Sequence, residues 1–250
     1  MAKTDIPSKE LHERTRWVYD HLPPTSQRLL DAGCHDGQST AIFGRKAHYA
    51  VGIDIDLSAL QRGQRSEPRV TCVGASGAAL PFADAAFDCV VFSEVLEHVP
   101  FSQEESCIAE LRRVVCDGGT LLLTTPHRGR FWWLDPLMFK THLRRLAGII
   151  RGRPVALKGH KHYRVDEIRA LLTPHFSIEL VERPGELLYP LAYWGHLLPF
   201  GIGLRPSLVR LWQRMMDYDY SREHGNAAYN VCIVARAHAQ TKLPSSAPSP

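Results

Sequence analysis

The chain has 250 residues, of which 44% are hydrophobic and 22% charged, and a formal charge of +4. That length and apolar content support one sizeable core and nothing in them forces two independent domains, while the mild basic excess is compatible with an anionic partner without specifying one. Cys34, Cys72, Cys89, Cys107, Cys116 and Cys232 are scattered through apolar segments with no C-x-x-C pair, which excludes a zinc-ribbon spacing and reads as reduced core thiols.

Taken in order, residues 8–22 carry Leu11, Val18 and Leu22 at helical spacing, with Ser8 as the expected N-cap. The N-terminal stretch lacks the apolar region of a signal peptide, so a cytoplasmic protein is expected. After Pro23-Pro24 an apolar run ends in Asp31, and a glycine-punctuated turn (Gly33, Cys34, His35, Asp36, Gly37) leads into the helix-opening Gln38, Ser39 and Thr40. Glycines there let backbone N–H groups approach a ligand closely, and the helix N-terminus favours an anionic group. The helix runs to about Lys46, and a second strand ends at Asp54, where nucleotide-binding α/β units place an acid for ribose hydroxyls. The spacing Gly33-x-x-x-Gly37 is not the dinucleotide fingerprint, which counts against a nicotinamide or flavin.

Residues 57–64 read as a helix, 69–73 as a short strand, and 87–92 as a fourth strand introduced by Asp88. An amphipathic helix over 104–115 precedes a turn at Gly118-Gly119 and a fifth strand over 120–124. Asp166 is expected to cap a helix reaching Leu172, followed by strands over 176–181 and 229–235. Strands and helices alternating at this spacing predict a parallel sheet covered on both faces. Residues 127–160 are basic and amphipathic, with Trp132, Trp133, Arg144 and Arg145 among them and Asp135 as their acid. The connection over 183–228 is long, and its apolar part is interrupted by Pro190, His196 and Pro199, too broken for a transmembrane helix. The Pro- and Ser-rich tail over 241–250 is expected to be disordered.

Four segments occur in a telling order: LLDAGCHDG (29–37), VGIDID (51–56), ALPFADAAFDCVVFSEVLEHV (79–99) and ELRRVVCDGGTLLLTTP (110–126). Together they resemble the class I S-adenosylmethionine-dependent methyltransferases, in the branch of small-molecule and ubiquinone-type enzymes. The resemblance is close over residues 15–126 and holds in outline beyond. It implies an α/β fold with a seven-stranded Rossmann-like doubly wound sheet, mostly parallel with an antiparallel last strand. One domain over 1–240 would carry lid insertions at about 127–160 and 183–228.

The resemblance assigns roles residue by residue. Asp31, Gly33 and Gly37 would position the amino-acid end of S-adenosylmethionine, and Asp54 would accept both ribose hydroxyls, with Asp56 as competitor for that role. Cys34, Ile55, Gly77, Ser93 and Glu94 would complete the cofactor site. Two positions depart from the family pattern: His35 replaces the middle glycine and would sit at positive φ with strain, and Ser76 stands where many relatives hold an adenine-binding Asp. His98 is the first candidate general base, because imidazole titrates near operating pH, and His127 the second. GHKHYRVDEI (159–168) resembles the H-x-x-F element of ubiquinone-type O-methyltransferases, with Tyr163 for Phe and with His160 and His162 facing the acceptor. No metal is expected, since no Cys or carboxylate accompanies those histidines at useful spacing.

The implied activity is methyl transfer to a small or lipid-like acceptor, a hydroxyl by preference, through in-line displacement aligned by the protein. A non-catalytic cofactor-binding protein and an RNA methyltransferase are the alternatives. The absence of an N-P-P-Y signature and of an appended RNA-binding module counts against a nucleic-acid substrate. The aromatic and basic segments outside the shared core predict contact with an inner membrane surface or a long apolar acceptor, with packing of a lid or of a dimer contact as the alternative.

Overall fold

A computed structural model describes residues 11–66, 70–135, 150, 160–191 and 206–239. The expected cap Ser8, the basic residues Arg144 and Arg145, the broken apolar run from 192 onward and the tail all lie outside the described residues.

Seven strands join one sheet: β1 (Ser26–Ala32), β2 (Ala47–Asp54), β3 (Thr71–Gly74), β4 (Phe87–Ser93), β5 (Val115–Pro126), β6 (Phe176–Glu182) and β7 (Asn230–Ala237). Their order is β3-β2-β1-β4-β5-β7-β6. The pairs β1·β2, β2·β3, β1·β4 and β4·β5 are parallel, and β7 runs antiparallel to both β5 and β6. The last strand is thus the reversed one, as the resemblance implies.

Strand side chains alternate in direction, so each central strand feeds two cores. Leu30, Ile53, Val90, Phe92, Leu121, Leu123 and Ile233 pack on one face against Ile108 and Leu111 of α4 (Glu104–Val114) and Ile168 and Leu172 of α5 (Val165–Leu172). Leu29, Cys89, Val91, Leu122 and Cys232 pack on the other, against Trp17 and Val18 of α1 (Glu13–His21) and Met216 and Tyr220 of α6 (Pro206–Tyr220). Residues that read as continuous apolar runs are those buried on both sides. Removing one such leucine side chain would cost about 2–5 kcal/mol.

Three local readings are corrected. Gly118 and Gly119 do not end a turn before a separate strand. They form an irregularity inside β5, where the register jumps from Phe87↔Val115 to Cys89↔Thr120 and Gly118 takes φ 71°. Asp166 lies within the first turn of α5, whose N-cap is Arg164; the Glu167 carboxylate accepts the Arg164 backbone N–H at 2.7 Å. The connection between β6 and β7 contains α6, which the broken apolar pattern before it concealed. Pro206 at its first position and an uninterrupted 14 residues after it were the available signals. Helix α6 holds α1 through Asp217, which accepts from the His12 ring at 2.8 Å, and through Gln213, which donates to Glu13 at 3.0 Å.

After β1 the chain builds outward through α2 (Gln38–Phe43), β2, α3 (Leu57–Ser66) and β3, then returns to place β4 on the other side of β1. The reversal opens a crevice at the carboxyl ends of β1 and β4, the place where open α/β sheets bind ligands.

Candidate functional site

The turn after β1 is set by backbone geometry. Gly33 has φ 93° and Gly37 φ 79°, and a Cβ on Gly33 would stand 2.1 Å from Val95 Cγ2. The N–H groups of Gly33 and Cys34 both donate to the Ile53 carbonyl, at 2.8 and 2.9 Å, which locks the turn to the end of β2. His35 takes φ 52°, the strained position expected of it, and its N–H donates to Asp54 Oδ2 at 2.8 Å. The imidazole itself points outward and is 64% exposed.

Asp54 and Asp56, rivals in the sequence, separate cleanly. Asp56 Oδ1 accepts the Ser58 N–H at 2.9 Å, the Ser58 hydroxyl at 2.6 Å and the Ala59 N–H at 3.1 Å, so it caps α3. Asp54 lies at the rim of a cleft of about 160 Å³ whose wall also includes Gly33, Ile55, Ser76, Gly77 and His98. One Asp54 oxygen holds the turn through His35 and the other accepts the Asp56 N–H at 2.8 Å.

Much of the remaining lining is apolar, from Ala32, Ile53, Phe92, Val95, Val99 and Cys107. A carboxylate at the rim suits a ribose diol and the apolar part suits a flat base, so the lining fits an adenosine. Ser76 bonds back to the Ala78 N–H at 3.3 Å.

Asp31 sits deeper, 3% exposed, and accepts the Thr40 hydroxyl at 2.6 Å. Burial pushes its carboxyl up to about 6, partly offset by Thr40. Cys34 is buried behind the turn with its sulfur 3.9 Å from that of Cys72. Ser93 meets the Thr124 hydroxyl at 2.8 Å, and Glu94 accepts from the same hydroxyl at 2.9 Å. Glu94 has φ 57°.

The two candidate bases part company. His98 is 55% exposed and lines the cleft, with Nε2 4.0 Å from the buried carboxyl of Glu97. His127 lies outside the cleft lining; its ring is buried and its Nδ1 pairs with the Ala228 carbonyl at 2.9 Å. Burial lowers its pKa, and the backbone contact opposes this.

Residues 160–163 run alongside the end of β5. His127 bridges Tyr163, and the Tyr163 hydroxyl donates to the Leu96 carbonyl at 3.0 Å and lies 2.7 Å from Glu104 Oε1. Lys161 donates to the Val99 carbonyl at 2.5 Å and to Glu104. This strap brings His160 within 5.3 Å of the His98 ring, centroid to centroid, and within 3.9 Å of Glu97.

Glu97, 1% exposed, accepts the Thr125 hydroxyl at 3.1 Å, and burial raises its pKa well above the carboxylate range, with Glu94 adding to the effect. The sequence hides its importance, because the charge of SEVLEHV suggests a solvated turn. Asp135 is hidden too: it supplies to His160 and His162 the carboxylate that their sequence neighbours lack, at 2.5 and 3.3 Å. A larger cavity of about 620 Å³ lies between α1, the end of β6 and α6, and no motif residue lines it.

Among known proteins, the model of the methyltransferase domain family matches residues 30–123. A Mycobacterium tuberculosis protein named a "probable S-adenosylmethionine-dependent methyltransferase" is 32% identical over 120 residues, 47% of this chain and 43% of the relative. The demethylmenaquinone methyltransferase of Renibacterium salmoninarum is 33% identical over 97 residues, 39% of this chain and 40% of the relative. The chain thus spans less than half the length of these two curated relatives. The crystal structure of a SAM-dependent methyltransferase from Methanosarcina mazei superposes with a TM-score of 0.59 over 90% of this chain and 98% of that one, at 19% identity, and shares the fold. Residues 30–123 match a methyltransferase domain, and with its strand order and with its glycine turn and Asp54 at one cleft the chain is similar to the class I S-adenosylmethionine-dependent methyltransferases.

Proposed function

We propose that this protein transfers a methyl group from S-adenosylmethionine to a hydroxyl of a small, largely apolar acceptor. The convergence of Gly33, Asp54, Ile55, Ser76 and Gly77 with His98 around one cleft carries this reading. Asp54 would hold the ribose hydroxyls and Ser76 the adenine edge, while the turn from Gly33 to Gly37, with Asp31 behind it, would receive the amino-acid end. The bound cofactor supplies a methyl already activated by its sulfonium, so the chain's work is to align the acceptor and remove a proton.

In this reading His98 takes that proton. It reaches the cleft with its Nε2 4.0 Å from the Glu97 carboxyl, so an acceptor O–H proton would pass to an imidazole at the cleft wall. His127, held by the Ala228 carbonyl, orients the 160–163 strap in this reading.

An apolar acceptor is supported by Trp132 and Phe101, which line a second cavity of about 560 Å³ together with His160 and His162. The demethylated quinone named for the Renibacterium relative is an acceptor of that kind. The test is release of S-adenosylhomocysteine with a panel of hydroquinones and phenols. Turnover should require the acceptor, and His98→Ala should lower kcat about 10²–10⁴-fold with cofactor affinity kept. Equal turnover by the variant would remove His98 from the role.

A further inference from the structure

The cluster of Asp135, His160 and His162 is more than the cofactor cleft requires. Asp135 follows the short turn Trp132–Leu134 and is fully buried. Its Oδ2 lies 2.5 Å from His160 Nδ1 and 3.3 Å from His162 Nε2. The two imidazoles stand nearly perpendicular, at 79°, with centroids 5.4 Å apart. The side chain of His162 is 2% exposed, yet neither ring nitrogen has a hydrogen-bond partner among the described residues.

A buried imidazole whose two nitrogens make no hydrogen bond, one of them 3.3 Å from a buried carboxylate oxygen, is costly as a plain structural device, and the same donor set is ordinary in metal sites. We propose that Asp135 Oδ2, His160 Nδ1 and His162 Nε2 bind one divalent first-row transition-metal ion.

The geometry suits this. Two ligand atoms each about 2 Å from a tetrahedral ion are ~3.3 Å apart, and His162 Nε2 and Asp135 Oδ2 already stand at 3.3 Å. The potential donor atoms of the triad all lie within 4.8 Å of one another. His160 needs only a small ring rotation to open its closer contact with Asp135. Its other nitrogen, Nε2, then points at Glu97, 3.9 Å away, the kind of carboxylate partner that fixes a ligating histidine.

A second grouping, Glu97, His98 and His160, shares His160. His98 is the more exposed member of that set and belongs to the cleft, so the buried triad is favoured and Glu97 becomes its outer partner. Two histidines and one carboxylate leave coordination positions open. The cavity of about 560 Å³ that contains His160, His162, Trp132 and Arg128 gives water or an acceptor oxygen a route to them.

The site stands independently of methyl transfer, and its test reads metal. The 250-residue chain without a polyhistidine tag would be stripped with chelator, dialysed and titrated with Co²⁺, with bound metal measured after gel filtration. The expected result is one tight equivalent per chain, with ligand-field absorption and no thiolate-to-cobalt charge-transfer band. Asp135→Asn and His162→Gln should each weaken binding roughly 100-fold or more, and Glu97→Gln roughly 10- to 100-fold. His98→Gln should leave metal affinity unchanged.

A thiolate band would place the ion at Cys34 and Cys72 and overturn the proposal, as would the absence of a tight equivalent. Loss in His98→Gln with retention in Asp135→Asn would do the same by assigning the second grouping. If the triad variants do not fold, the stoichiometry and spectrum of the native chain decide whether the site binds metal. A calorimetric titration of S-adenosylmethionine on the same stripped sample reports separately on the cofactor reading.

Discussion

The carboxylate of Glu94 lies 3.8 Å from the guanidinium of Arg14, tying the end of β4 to the leading helix α1. Glu94 holds its left-handed backbone because the structure compensates it: its N–H donates to the Thr124 carbonyl at 2.9 Å and its carboxylate accepts the Thr124 hydroxyl. Arg14 also reaches the Tyr189 hydroxyl, at 3.4 Å. Glu94→Gln keeps an acceptor for Thr124 and removes the charge facing Arg14. Since Arg14 is 43% exposed, stability should fall by no more than about 1 kcal/mol. Amide exchange across α1 should accelerate; unchanged protection there would mean that α6 alone holds the helix.

Asp54 and Asp56 should give opposite phenotypes. Asp54→Ala removes the proposed ribose acceptor and should weaken S-adenosylmethionine by about 1.5–3 kcal/mol, roughly 10- to 150-fold. Asp56→Ala removes the α3 cap and should cost about 1 kcal/mol of stability while cofactor affinity stays within roughly twofold. Calorimetric titration and urea unfolding on both variants separate the roles, and an Asp56→Ala protein with lost affinity would reverse them.

Asp31 predicts a pH dependence of unfolding. Its carboxyl titrates near 6 when folded, against an ordinary value of 3.8. Between those values the folded chain binds more protons than the unfolded one, so this group's stabilisation is complete below about pH 4 and is lost as pH rises through 6. The size is about 3 kcal/mol. In urea unfolding from pH 4 to 7, the native chain should lose stability across that window relative to Asp31→Asn. Parallel curves would show that Asp31 titrates normally.

Membrane contact is testable through Trp132 and Trp133. Trp133 is 61% exposed, and among the described residues no helix is long and apolar enough to cross a membrane. A surface association predicts co-sedimentation with anionic vesicles that weakens with salt and with replacement of both tryptophans by alanine. Protein that stays in the supernatant at low ionic strength would leave a soluble acceptor in its place.

What was legible in the sequence is what local chemistry dictates. The turn from Gly33 to Gly37, the acid closing β2 and the doubly buried strands each follow from nearest neighbours and periodicity. Asp56 was ambiguous because a cap and a ligand acid look alike until the residues two and three positions on are seen donating to it. Asp135 and Glu97 were illegible for another reason. They meet His160 only through the strap that Tyr163 and Lys161 fasten across β5, a contact made over 25 residues in one case and 63 in the other. Helix α6 stayed hidden because prolines just before it masked its own regular spacing.

Gly52 lies on β2 directly beneath the turn, and a Cβ there would stand 2.6 Å from Cys34 Sγ and 2.9 Å from Thr40 Oγ1. With no spare volume between strand and loop, residues 31–40, the first half of the proposed site, are held in place by packing. A molecule docking there forfeits little disorder of the protein, so contacts convert to affinity with small loss. The opposite rim is assembled from distant segments of the chain. Substitutions on that rim can alter which acceptor is taken while the first half keeps its shape.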